Sequence, residues 1–474
     1  MPNTLCLHMI QIIMPKLKQT NIYHMYIKFV LTKLPHLVSL IMNLNSNSFE
    51  PVTFDVWKNA IVKELKGSPY ESLFHTYFPG LTEPPFHNWE TERPEKPLFN
   101  ERSWFASEWT CSRELALQAL NRGANALVLE PLSSEHLDKW LDGIHLPYLH
   151  TTLVCADSPQ DFAEAWIKYT DGLNLKALEL STALDFDPIR AYTSAKMSIL
   201  AAKAYFNGLS HLPKAFTFQR SIDVRHFADR GAGPHWQLGL ILSALNLHFQ
   251  AENKSSTLNI RIAISVGRDY LLETAKLRAL RAVIPFLKTF YPQLPAIRLH
   301  LYAQGGTRYF SAQDPHTNLL RLTTQGMAAI LGGADEIYLP NHQIYNQKEN
   351  ENHLPLNILH LLRYEARLDH SGDVWAGSYS MEALTEKLAH QAWEVFKLIE
   401  DKGGIWKAWE SNWLNDVLSE QDQNERNAYN EGKLPILGVD LYPYTLNGLN
   451  LPEQPQNHDM HRIAISTEFK SKMD

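Results

Sequence analysis

Apolar and polar positions alternate along this chain with two different periods. From Ile297, the residues Ile297, Leu299 and Leu301 alternate with Arg298, His300 and Tyr302, the period of a strand. After Asp314-Pro315 the period changes. Leu319, Leu320, Thr323, Met327 and Ile330 recur at helical spacing, behind an acid at the cap and a proline in the first turn. Gly332-Gly333 stops that helix, and Glu336–Leu339 begins a second strand. Strand, helix and strand form a βαβ unit, which calls for a parallel sheet.

The same alternation runs through much of the chain. Strands are predicted at Lys96–Phe99, Ala126–Glu130, Leu149–Val154, Ala177–Leu180, Phe216–Val224, Ile260–Ser265, Ile297–Tyr302 and Glu336–Leu339. Helices are predicted at Ser112–Asn121, Ser134–Leu141, Pro159–Tyr169, Ile189–Asn207, Trp236–Phe249, Tyr270–Phe290 and Pro315–Leu331. Eight strands joined by helices over roughly 245 residues match a (β/α)8 TIM-type barrel. A doubly wound open sheet is the alternative, because periodicity does not show closure. An N-terminal arm (42–95) would precede the barrel (96–345). A C-terminal helical extension (346–474) would follow it. There Met381, Leu384, Leu388, Ala392, Val395, Phe396 and Ile399 mark one buried helix face, ended by Gly403-Gly404. A further helix is expected over about 405–420. Gln421–Gly432 is polar, and Leu434–Tyr442 reads as an extended run.

The first residues differ from the rest. Met1 to Phe49 contain no Asp or Glu. The apolar run Tyr26–Leu44 is broken by Lys28, Lys33 and Pro35, and it lacks the clean length of a membrane span. No secretory pattern is present, and the stretch has no arginine to suit a transit peptide. Translation is expected to begin at Met42, which would make 1–41 a non-native upstream extension. The N-terminal mass of the native protein checks this.

Composition narrows the class. With 474 residues, net charge −7, 45% hydrophobic and 20% charged content, the chain suits a large soluble core and offers no basic excess for nucleic acid. Cys6, Cys111 and Cys155 lie far apart, which suits a reducing cytoplasm better than a disulfide framework or a zinc site. His458 and His461 have H-x-x-H spacing in a tail without further ligands, so no metal is expected. Gly231 and Gly233 do not form G-x-G-x-x-G, so no dinucleotide site is indicated.

The words inside these elements are more specific than their pattern. Ser311-Ala-Gln-Asp-Pro315, Asn318, Arg321, Met327-Ala-Ala329 and Gly332-Gly333 resemble the cobalamin-dependent acyl-CoA mutases, above all the methylmalonyl-CoA mutase family. Further blocks resemble it in family order. They are Trp57–Gly67, Ile222–Ala232, Asn259–Ile264 with Ala275-Lys-Leu-Arg-Ala279 and Arg281, Asp373–Tyr379, and Asn430–Asp440. The resemblance covers most of residues 50–442. It implies a barrel that holds acyl-CoA along its axis and a separate flavodoxin-like domain that holds the corrin. Radical chemistry then belongs to the cofactor, and the protein positions and shields it.

That family takes its lower-axial histidine from D-x-H-x-x-G. Here Asp314-Pro-His316 is followed by Leu319 where the glycine belongs, inside a barrel block. No cobalamin-binding domain is therefore expected on this chain, and adenosylcobalamin would be bound by a partner subunit. By the resemblance, His226 falls on the substrate-contacting histidine and is the candidate catalytic residue. Gln304 falls on a substrate-facing glutamine, and Asp229 stands for a glutamate. Lys276, Arg278 and Arg281 are candidates for CoA phosphates.

The other family positions are eroded. Arg225 replaces a tyrosine beside His226, which changes both charge and shape. Gly305-Gly-Thr-Arg-Tyr309 replaces T-S-G-W-S, and Tyr338-Leu-Pro340 replaces H-T-N. The T-I-R-Q-Y-A-G block is unrecognisable around Ser103–Thr110. The resemblance thus implies a non-catalytic beta, or small, subunit in a heterodimer with a large alpha subunit. A split mutase is the alternative, in which this chain is the catalytic acyl-CoA-binding barrel and a separate protein carries cobalamin. An unrelated barrel hydrolase or metalloenzyme would need converging His and carboxylate residues at strand C-terminal ends. Only His226 with Asp229 suggests that.

Overall fold

The computed structural model describes residues 52–442, except 89, 92–96, 101–102, 156–157, 253–256, 295, 312–313, 344–352 and 370–371. The described residues form two compact units, 52–73 and 74–442. The first holds helix α1 (Phe54–Glu64), capped where Thr53 Oγ1 accepts from the Val56 amide. Trp57 meets the buried Tyr70 ring edge-on, and Lys58 Nζ lies 5.0 Å from the same ring centre. The expectations for residues 1–51 and for the tail with His458 and His461 lie outside the described residues.

The second unit opens with the hairpin β1 (His75–Phe78) and β2 (Leu81–Glu83). Then come β3 (Phe105–Thr110), α2 (Arg113–Asn121), β4 (Ala126–Leu132), α3 (Leu137–Leu141), β5 (His150–Cys155), α4 (Pro159–Gly172) and β6 (Ser181–Asp185). Next are α5 (Pro188–Thr193), α6 (Ile199–Gly208), β7 (Arg220–Asp223), α7 (Arg225–Asp229), α8 (Pro234–Ala251), β8 (Leu258–Val266) and α9 (Tyr270–Thr289). The last elements are β9 (Ile297–Gly305), α10 (Thr317–Leu331), β10 (Glu336–Tyr338), α11 (Leu354–His360), α12 (Tyr379–Asp401), α13 (Gly404–Glu410) and α14 (Trp413–Asn430).

Strands β3–β10 form one parallel sheet in the order β6-β5-β4-β3-β10-β9-β8-β7. The two ends of that order meet at Phe218, just before β7. Its amide donates to Thr182 O at 2.9 Å, and its carbonyl accepts from the Leu184 amide at 2.9 Å. The sheet therefore closes into the (β/α)8 barrel, and the open doubly wound sheet is excluded.

Several boundaries differ from the sequence reading. The first barrel strand is Phe105–Thr110, not Lys96–Phe99. Phe105, Ser107 and Trp109 point into the barrel while Ala106, Glu108 and Thr110 face out, so neither face is uniformly apolar and the strand pattern is faint. Ala177–Glu179 is a single 3-10 turn, and the strand begins at Ser181. The expected helix Ile189–Asn207 is two helices, broken where Ala195 takes φ 59° and Ser198 caps the second. Leu434–Tyr442 is a turn with one bridge rather than a strand. The polar segment Gln421–Gly432 is helical as far as Asn430, within α14.

The extension adds a layer outside the barrel helices. Helix α8 is buried on nearly every side, which fits its apolar circumference. It lies between the sheet and α12, whose predicted face of Met381, Leu384, Leu388, Ala392, Val395, Phe396 and Ile399 is buried throughout. The approach is close enough that a Cβ on Gly239 would stand 2.4 Å from Val395 Cγ1. Only glycine fits there.

Candidate functional site

The C-terminal ends of the strands open into a cavity of about 680 Å³, lined among others by Trp109, Arg190, Asp223, Arg225, His226 and Gln304. Asp223 closes β7, and Arg225 opens the short helix after it. Their proximity in sequence lets the guanidinium fold back as a fork: Nε donates to Oδ1 at 2.9 Å and Nη2 to Oδ2 at 2.6 Å. Arg190 from α5 donates to the same Oδ2 at 2.5 Å. Burial alone would raise the Asp223 pKa, but the two guanidinium groups overcome it and hold the carboxyl well below its usual range. Arg225 also bonds Gln304 Oε1 and lies over the rings of Trp109 and Tyr302.

His226 follows it. Its Nε2 lies 2.7 Å from the Thr193 hydroxyl oxygen. The same hydroxyl lies 2.9 Å from the Ile189 carbonyl, and where it donates there its single proton is used and the imidazole Nε2–H is the donor to it. Burial pushes the His226 pKa down to about 3, against the opposing pull of Asp223, and the ring is neutral. Burial likewise raises Asp229 to about 6. It raises Asp187 to about 7, although Asp187 accepts the Asp223 amide at 2.8 Å and caps α5.

Helices α13 and α14 cover this end. Trp409, Asn412 and Asn415 line the cavity. Arg308, in the loop after β9, is the latch. It donates to Glu425 at 2.7 Å, to Asp422 at 2.5 Å and to the Asp229 carbonyl at 2.9 Å. Tyr309 adds a bond to Glu425, and Arg230 one to Asn415.

Residues 242–472 match the sequence profile of methylmalonyl-CoA mutase. The methylmalonyl-CoA mutase small subunit of Porphyromonas gingivalis is 24% identical over 84% of this chain and 71% of its own length. That of Propionibacterium freudenreichii subsp. shermanii is 26% identical over 77% of this chain and 60% of its own length. The large subunit of P. gingivalis is 27% identical, over 38% of this chain and 26% of its own length. Similarity to small subunits thus extends over about twice as much of the chain. The chain belongs to the methylmalonyl-CoA mutase family, as a member of the small-subunit type.

The barrel axis is crowded. Tyr302 and Arg261 are fully buried inside the barrel, with the Arg261 guanidinium 4.2 Å from the Tyr302 ring centre and 3.5 Å from Asp185. Toward the N-terminal base, His150, His300 and Glu336 fill the next level, ringed by Phe105 and Phe218. Sequence reasoning placed His226 and Gln304 at the mouth, and both line it.

The other candidates sit elsewhere. Lys276 is buried on α9, bonded to Glu273 and, at 2.6 Å, to the Ser265 carbonyl. Arg278, also buried, reaches Asp373 and Glu382. Arg281 holds the Gly333 carbonyl and Asp335. None of the three lines the mouth cavity. The residues missed were Asp223, Asp185 and Arg190 at the mouth, and the base cluster. Strand-end acids two residues from an arginine were the available signal for the mouth.

Proposed function

We propose that this chain is the beta subunit of a heterodimeric methylmalonyl-CoA mutase and performs no catalysis itself. In this reading a large subunit carries adenosylcobalamin and the radical chemistry. The cytoplasmic complex interconverts (R)-methylmalonyl-CoA and succinyl-CoA. The present chain contributes a rigid barrel against which the large chain is held. Among the described residues, no helix is long and apolar enough to cross a membrane, which agrees with such a role.

The observation that carries the reading is the filled axis. An acyl-CoA threaded along the barrel would have to displace Tyr302 and Arg261, both fully buried. It would also break the 3.5 Å contact of Arg261 with Asp185. The mouth supports the same reading. With the Thr193 hydroxyl donating to Ile189, the imidazole of His226 spends its N–H on Thr193 and has no proton to offer an acyl carbonyl. Lys276, Arg278 and Arg281 are structural in this reading, each held by partners within the fold.

Native co-purification from the source cells tests the proposal. An equimolar large chain carrying barrel and cobalamin domains is expected, with mutase activity only when both are present. A small free-standing cobalamin protein in its place would overturn the proposal. This barrel would then be the catalytic half of a split mutase, and His226 and Gln304 the residues to mutate.

A further inference from the structure

At the opposite end of the barrel from the mouth, three strands distant in sequence bring potential metal ligands together. His150 begins β5, His300 lies in β9, and Glu336 begins β10. All three are buried, and their ligand atoms lie within 4.8 Å of one another. We propose that His150, His300 and Glu336 bind one divalent first-row transition metal ion of the zinc class, as a staple across the base of the barrel. This inference does not depend on the mutase reading.

Distances support it first. Glu336 Oε2 lies 2.9 Å from His300 Nε2 and 3.5 Å from His150 Nε2. Ligands about 2.0–2.1 Å from a tetrahedral ion stand ~3.3 Å apart. These two spacings straddle that value, and the His150 and His300 rings, stacked with centres 4.1 Å apart, must turn until both lone pairs aim at the ion. The donor set, two imidazoles and one carboxylate, is one that such ions take.

The surroundings are those of ligands held in place. Ser107 donates to Glu336 Oε1 at 2.6 Å, which leaves Oε2 for the ion. The Ser181 hydroxyl lies 2.9 Å from His150 Nδ1. With the hydroxyl accepting there, His150 Nε2 is the lone-pair nitrogen, and that buried atom makes no hydrogen bond. Arg261 is the opposing charge nearby, and it has its own counter-ion in Asp185. Binding through His300 Nε2 requires the tautomer with its proton on Nδ1, because an N–H nitrogen has no lone pair for the ion.

The test uses the untagged full-length chain, purified without chelator. Elemental analysis is expected to find about one zinc per chain. Cobalt(II) added to the stripped protein is expected to give the visible d–d bands of a tetrahedral site. Glu336→Gln and His150→Ala should abolish the bands. Ser181→Ala, a milder change, should weaken binding about 10–100-fold. His458→Ala with His461→Ala should leave the bands intact. The proposal is overturned if the wild-type chain holds only trace metal and cobalt changes neither its spectrum nor its melting temperature. It is equally overturned if Glu336→Gln or His150→Ala binds as the wild type does. If those two variants fail to fold, the wild-type spectrum and Ser181→Ala decide.

Discussion

At the C-terminal mouth of the barrel, Arg190 and Arg225 face Asp185 and Asp223. At the base, one carboxylate is served by two imidazoles and a hydroxyl. Both are polar clusters buried inside the same sheet, but they bury charge differently. The mouth matches full charges with full charges, so each member depends on the others. The base surrounds a single carboxylate with two imidazoles and a hydroxyl. Removing a member of the mouth strands an ion, whereas removing a member of the base mostly loosens a hydrogen bond. The mouth therefore has little freedom to be remade, even where no ligand asks for it.

The sharpest way to break this comparison is Asp223→Ala. It leaves Arg225 and Arg190 without their shared carboxylate in a site where Asp223 is 3% exposed. Stranding buried charge costs about 3–5 kcal/mol. Ser107→Ala at the base removes one hydrogen bond to Glu336, at about 1.5–3 kcal/mol. Denaturant unfolding of the two variants should show the larger loss at the mouth. Equal losses would mean that the mouth charges are already well solvated by the cavity.

Acid should act on the neutral imidazoles. Burial holds His226 and His150 at about 3, below their unfolded value, so the unfolded chain takes up protons first as pH falls. Stability from each ring is intact above about pH 6.5 and is lost progressively down to about pH 3. Near pH 5 a ring so shifted accounts for roughly 2 kcal/mol. Urea melts of His226→Gln against the wild type should converge as pH falls through that window. Parallel curves would show that His226 is charged in the fold.

How far the sequence could be read follows from the same interior. The βαβ period from Ile297 onward located β9, α10 and β10, because their apolar faces pack against neighbouring helices and strands. Alternation alone could not tell which face of β9 points inward. Leu299 and Leu301 join the outer core, while His300 and Tyr302 line the axis, so the polar half of the alternation is the inner half. For the same reason β3 was overlooked, since Phe105, Ser107 and Trp109 form no uniform inner face. The Asp223–Arg225 fork is local in sequence, but its meeting with Arg190, Trp109 and Gln304 is made by barrel closure. The base cluster joins residues 150, 300 and 336 and has no local signature at all.

Arg261 gives the smallest expected effect and separates filling from charge. It is fully buried, its Asp185 contact is 3.5 Å, and its Nε and Nη2 make no hydrogen bonds. A buried cation so loosely paired contributes little net stability, and an apolar side chain of similar volume is often neutral or stabilising. Asp185 keeps Arg190 at 3.7 Å and Arg225 at 4.0 Å, so Arg261→Met does not leave it alone. The expected change is between zero and a gain of about 1–4 kcal/mol, read by denaturant unfolding. A clear loss would mean that the axis is held by charge rather than by volume, and that the mouth's network reaches down to Tyr302. The axis would then be a single electrostatic column from mouth to base, and the contrast between the two ends would fail.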